Sequence, residues 1–135
     1  MKRRMDRSIM YNDLLSYGDF IQLNNFCNSK ELLEEIKDFE WIQYNRRKNI
    51  NRYGLSVTSS DGTRNGLDLD SLWELSKEHN KIYDEDNFTT LTDVYHKSKE
   101  VQKLVDPFKP WLCRTHFLNF KKGGYFPPHI DSYKF

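Results

Sequence analysis

NFKKGGYFPPHIDSY, residues 119–133, is the stretch whose reading decides the fold. In an extended strand, residues two apart project from the same face, so His129 and Asp131 point together while Ile130 turns the other way. A neutral imidazole and a carboxylate placed side by side can occupy neighbouring corners of a metal ion. Pro127 and Pro128 lack the N–H that ladder pairing needs, which suits a strand entry or a sheet edge. Gly123 and Gly124 permit a tight reversal. That reversal would lay YFPPHID (125–131) beside the β-rich run LCRTHFLNF (112–120), making a hairpin whose second arm carries the metal pair. On the first arm, alternation places Arg114, His116, Leu118 and Phe120 on one face.

Upstream, helical signals dominate. Asn28 and Glu31 stand at capping-box spacing ahead of Leu32, Leu33, Ile36 and Phe39, which share one apolar stripe. Ser71 and Glu74 repeat that spacing before Leu72, Leu75 and Ile82. A third helix, around Ser98 to Val105, ends at Pro107. GDFIQLNNF (18–26) reads as an early strand, EWIQYN (40–45) and RYGLSVTSS (52–60) as two strands joined by the basic turn RRKNIN, and SDGTRNG (60–66) as a loop.

Composition bounds the class. The 135 residues carry a formal charge of +1, with 37% hydrophobic and 15% aromatic residues, which fits one globular domain spanning 1–135 with a single core. Cys27 and Cys113 lie far apart without metal or redox spacing, so reduced thiols and a cytoplasmic location are expected. No apolar run approaches the ~20 residues of a membrane span. The basic start MKRRMDR leads into a segment too polar for a signal-peptide core. The cluster NRRKNINR is balanced by acidic stretches such as ELLEEIKDFE, and without a nucleic-acid module the basic residues read as solvated surface.

His-x-Asp alone is too short to identify anything in a chain with four histidines, so its context must carry the reading. That context resembles the G-G-x-x-x-P-H-x-D segment of Fe(II)/2-oxoglutarate-dependent dioxygenases, the prolyl-hydroxylase-like group with a double-stranded β-helix core. RYGLSVTSSDG, GLDLDSLWE and CRTHFLNF are similar to the small oxygenases of this type encoded by tailed bacteriophages. The resemblance implies an α+β fold in which N-terminal helices and strands, about 1–110, pack on an incomplete jelly-roll or cupin-like core whose first strands are about 111–135. It implies Fe(II) held by His129 and Asp131, 2-oxoglutarate and oxygen as cosubstrates, and hydroxylation of an amino acid or protein side chain. Asn119, Tyr125, Arg114 and His116 are the candidates for holding cosubstrate or substrate, with Arg114 suited to a carboxylate. His116 also reads as an ordinary pocket or core histidine, and His79 and His96 as surface residues.

The chain departs from the family pattern at two points. The family's third ligand is a histidine several strands beyond the aspartate, followed by a basic residue for the cosubstrate's far carboxylate, whereas four residues follow Asp131 here. Phe120 stands where similar hydroxylases often carry a tyrosine, and a phenyl ring cannot hydrogen-bond. The expectation is therefore a fragment that is inactive alone or dependent on a complementing C-terminal polypeptide. The alternative is a non-catalytic interaction module that offers an open sheet edge to a partner strand.

Overall fold

The computed structural model describes residues 12–46 and 49–129. Contacts divide them into a main unit, Phe26–Phe126, and a second unit to which residues 12–25 and 127–129 belong. The main unit is α+β. Its three longer helices are α1 (Ser29–Ile36), α2 (Leu72–Glu78) and α4 (Lys99–Val105), with the short α3 (Asp93–Lys97) between the last two. Its strands are β1 (Ile42–Gln43), β2 (Arg52–Ser56), β3 (Thr58–Ser59), β4 (Thr90–Leu91) and β5 (His116–Phe120). They form two antiparallel sheets, ordered β1-β2-β5 and β3-β4, and close no barrel among the described residues.

Local signals set the helix starts. The Asn28 side chain accepts from the N–H groups of Lys30 and Glu31, as its capping position requires. The reciprocal arm of a capping box is replaced: the Asn28 N–H donates to Glu100 Oε2 at 2.6 Å, which ties the start of α1 to α4. Ser71 caps α2 by accepting from the Glu74 N–H. That helix ends at Glu78, so Ile82 falls outside it and is 86% exposed.

β2 and β3 are one strand broken by a bulge. The N–H groups of Val57 and Thr58 both donate to Thr115 O, at 2.9 and 3.1 Å, so two residues oppose one. The bend re-aims the chain: β2 pairs with β5, and β3 turns away to pair with β4. Thr58 and Thr92 satisfy the carbonyls freed at the bend, donating to Cys113 O and Ser56 O at 2.7 Å each.

The register assigns the sheet faces. Arg52 lies opposite Phe120, Gly54 opposite Leu118 and Ser56 opposite His116, so these share one face. Leu55 and Phe117 share the other. On the Leu55 side the helices supply the core, in which Ile36, Val57, Val94, Tyr95, Val101 and Val105 cluster with Leu55. On the Arg52 side the 3-10 turn Leu67–Leu69 lies against the sheet, and Tyr44 and Phe126 lie over Arg52. Leu69 presses on Gly54 so closely that a Cβ there would lie 2.5 Å from Leu69 Cδ2.

Three sequence expectations fail. Residues 18–26 form no strand, and Phe20, Ile21, Leu23 and Phe26 are exposed, because β-forming side chains hold a strand only against a partner sheet. The partner of β5 is β2, from far upstream, rather than the segment that follows it. The chain does reverse after β5, since Gly124 N–H donates to Lys121 O at 2.7 Å and Gly123 has φ +80°. Residues 125–129, however, enter no ladder. The loop around Asn51 has taken the place of a second arm: its backbone carbonyl accepts from Lys121 N–H and its side chain donates to Lys122 O.

Candidate functional site

The face of the sheet carrying Arg52, Ser56 and His116 is polar and largely buried. Arg52 is 3% exposed, and its Nε has no hydrogen-bond partner. Its guanidinium carbon lies 4.1 Å from the ring centroid of Phe126 and 4.9 Å from that of Tyr44. The two rings meet edge to face at 5.5 Å, and Phe120 adds a third, 5.9 Å from Phe126. Desolvation lowers the pKa of Arg52, opposed by the nearby phenols of Tyr44 and Tyr125. A desolvated cation–π contact contributes about 2 kcal/mol, against an effective desolvation cost of several kcal/mol for a buried ion. The rings thus offset only part of the cost of burying this cation.

His116 lies on the same face, its ring 5.4 Å from Tyr44. Burial, with the Arg114 charge behind it, pushes its pKa down to about 4, and its Nδ1 is buried without a partner. The imidazole is neutral throughout the physiological range. Beside it in the sheet, Ser56 Oγ donates to Asp68 Oδ1 at 2.8 Å. Asp68 is fully buried and its Oδ2 has no partner. Desolvation dominates there and raises its pKa to about 6 despite the Ser56 bond. Next along the chain, Asp70 is also buried but well served, receiving Arg46 Nε at 2.6 Å and the Arg46 N–H at 3.1 Å. These bonds hold the Leu67–Leu69 turn against the sheet.

The remaining predicted residues are placed as follows. Arg114 shares the buried region but is engaged within the protein, with Nη1 donating to Asp70 O at 3.3 Å and Nε 3.4 Å from Glu85 Oε2. Asn119 is exposed and pairs across from Tyr53, on the opposite face from His116. Tyr125 is 54% exposed. Asp131 lies outside the described residues. His129 belongs to the second unit and is exposed, with Nδ1 2.8 Å from Pro127 O. A carbonyl can only accept, so Nδ1 carries the proton in that bond and the lone pair of the neutral ring sits on Nε2. This is the tautomer that metal-binding histidines adopt when their other nitrogen is held by a backbone carbonyl.

As a test of fit to iron, His129 suits one corner of a coordination shell. Among the described residues no three His, Cys, Asp or Glu side chains gather as a metal set. His79 sits at the end of α2, its Nδ1 3.0 Å from the Tyr83 hydroxyl, and His96 is exposed on α3. Both match their surface assignment.

Arg52, Tyr44 and Asp68 were not singled out in the sequence. A signal was present in Arg-x-Gly-x-Ser, which sets polar and small residues on one side of a strand whose neighbours include Leu55 and Val57. No helix among the described residues is long and apolar enough to cross a membrane. No family model, no curated protein and no solved structure matches this chain.

Proposed function

We propose that the chain carries the front portion of a non-haem Fe(II)/2-oxoglutarate dioxygenase, with its helices and first strands packed on an incomplete jelly roll. One observation carries the reading: in G-G-x-x-x-P-H-x-D, the His129 Nδ1 proton is held by the Pro127 carbonyl, the tautomer of a metal-binding histidine, two residues before a carboxylate. His129 and Asp131 would hold the ion. Bound iron supplies the oxygen chemistry that hydroxylates an unactivated C–H bond while 2-oxoglutarate becomes succinate and carbon dioxide. The chain's own part is to fix the His129 tautomer. A third ligand must come from outside the described residues, and a complementing polypeptide is one source. An amino acid or a protein side chain is the substrate class, and a cytoplasmic location fits such chemistry.

The test is anaerobic calorimetric titration of the full chain with Fe(II), with and without 2-oxoglutarate. Wild type should bind, and His129→Ala or Asp131→Ala should weaken binding by about 100-fold or more. Equal affinities in wild type and both variants sink the proposal.

A second reading has its own observation. β5 is an edge strand among the described residues, and an apolar groove of about 350 Å³ lies beside it, lined in part by Leu104, Val105, Phe108 and Phe117. An interaction module taking a partner strand there would capture its partner without metal and keep doing so in His129→Ala.

A further inference from the structure

Arg52 is a buried cation without a counter-charge among the described residues. Among the described residues no carboxylate pairs with it, and its Nε is enclosed without an acceptor. Phe126 and Tyr44 lie against the guanidinium, but aromatic rings offset only part of its charge and leave N–H donors unbonded. The neighbouring arginines are already used: Arg46 by Asp70, and Arg114 by Glu85 and the Asp70 carbonyl. Phe126, which lies over Arg52, is itself 37% exposed, so the cation is one side chain away from solvent.

We propose that Arg52 anchors a binding site for a small carboxylate, seated in the aromatic corner of Tyr44, Phe120 and Phe126 on the face that also presents His116. A guanidinium fork matches the two oxygens of a carboxylate, and one unengaged positive charge matches one negative. A phosphate dianion calls for more: phosphate sites gather several cations or a run of backbone N–H groups, and the corner offers a single cation among rings. The apolar walls suit a ligand with a hydrocarbon body. His116 lies on the same face, its ring 5.4 Å from that of Tyr44 and its Nδ1 without a partner. The site needs neither His129 nor Asp131, so it stands or falls separately from the iron reading.

The experiment uses the full chain, stripped of metal with chelator, titrated with acetate, succinate and inorganic phosphate. Calorimetry gives affinities, and the arginine Nε–H resonance of wild type reports contact at the guanidinium. Succinate should bind more tightly than acetate, and both more tightly than phosphate, with the Arg52 Nε–H resonance shifting as the site fills. Arg52→Lys should weaken binding by about tenfold or more, because an ammonium lacks the planar fork. Arg52→Met should abolish it, and His129→Ala should leave it unchanged. Absence of carboxylate binding up to tens of millimolar, phosphate binding more tightly than succinate, or unchanged affinity in Arg52→Met would each overturn the site. If Arg52→Met does not fold, the wild-type resonance decides: a shift on carboxylate addition supports the site, and none refutes it.

Discussion

Asp68, fully buried, and His116, partly buried with its Nδ1 enclosed, are titratable groups on one side of the sheet, and their effects on stability run in opposite directions. The Asp68 carboxyl is raised in the fold from an ordinary 3.8 to about 6, so its stabilising contribution is complete below pH ~3.8 and is lost as pH rises through about 6. The His116 imidazole is lowered from 6.5 to about 4, so its contribution is complete above pH ~6.5 and is lost as pH falls through about 4. At 1.36 kcal/mol per pH unit, each displacement of somewhat over two units corresponds to about 3 kcal/mol. Between pH 4 and 6 the slopes nearly cancel, and wild type hides both. Asp68→Asn keeps an oxygen for the Ser56 hydroxyl and removes one slope. Relative to wild type it should become more stable as pH rises from 4 to 6, by about 3 kcal/mol in total. His116→Phe preserves an aromatic ring against Tyr44 and removes the other slope, so relative to wild type it should become more stable as pH falls from 6.5 to 4, by about 3 kcal/mol in total. Urea unfolding at half-unit steps from pH 4 to 8 reads both, and the difference curves cancel every other titrating group. Difference curves that are flat, or that bend the same way for both variants, refute the assignment of these two groups as buried in their uncharged forms.

Three further outcomes follow from packing. Gly54→Ala places a methyl 2.5 Å from Leu69 Cδ2, and the buried turn that carries Leu69 must shift, at about 1–3 kcal/mol by urea unfolding. Asn28→Ala removes the acceptor for two N–H groups at the start of α1 and should cost about 1 kcal/mol, with the unfolding slope unchanged. Gly124→Ala brings a Cβ within 2.3 Å of the Asn51 carbonyl oxygen, so the turn after β5 must open; chemical shifts of Phe126 and Arg52 should move with it, and stationary shifts would show that the turn does not position that ring.

What the sequence revealed was mostly local. Asn28, Ser71 and the Ser98–Val105 stretch announced their helices because a cap and an apolar stripe act within one or two turns of chain. β1, β2 and β5 were legible from their composition. Their pairing was less so: β5 joins β2 across some sixty residues of chain, and the bulge that makes room for it depends on one carbonyl, Thr115 O, accepting from both Val57 and Thr58. GDFIQLNNF had strand composition and no partner, which propensity cannot reveal. At the candidate site, the shared face of Arg114, His116 and Phe120 was readable by alternation. Arg52, Asp68 and Tyr44 reach that region through register and through a 3-10 turn, and neither leaves a short-range trace.

The two faces of the central sheet therefore obey different rules. On the Leu55 face, apolar side chains from three helices and the strands fill the space, and this is where stability comes from. On the Arg52 face the same strands place a cation and a neutral imidazole, and the Leu67–Leu69 turn adds a buried carboxyl, each with an atom lacking a hydrogen bond. Apolar residues of similar volume at these positions would make a more stable sheet, since unpaired buried polar atoms each cost about 1–3 kcal/mol. Selection for folding alone gives no reason to retain three of them side by side. A ligand that brings a negative charge to Arg52 and hydrogen-bonding groups to its neighbours does give one, because binding would satisfy the atoms that folding leaves bare.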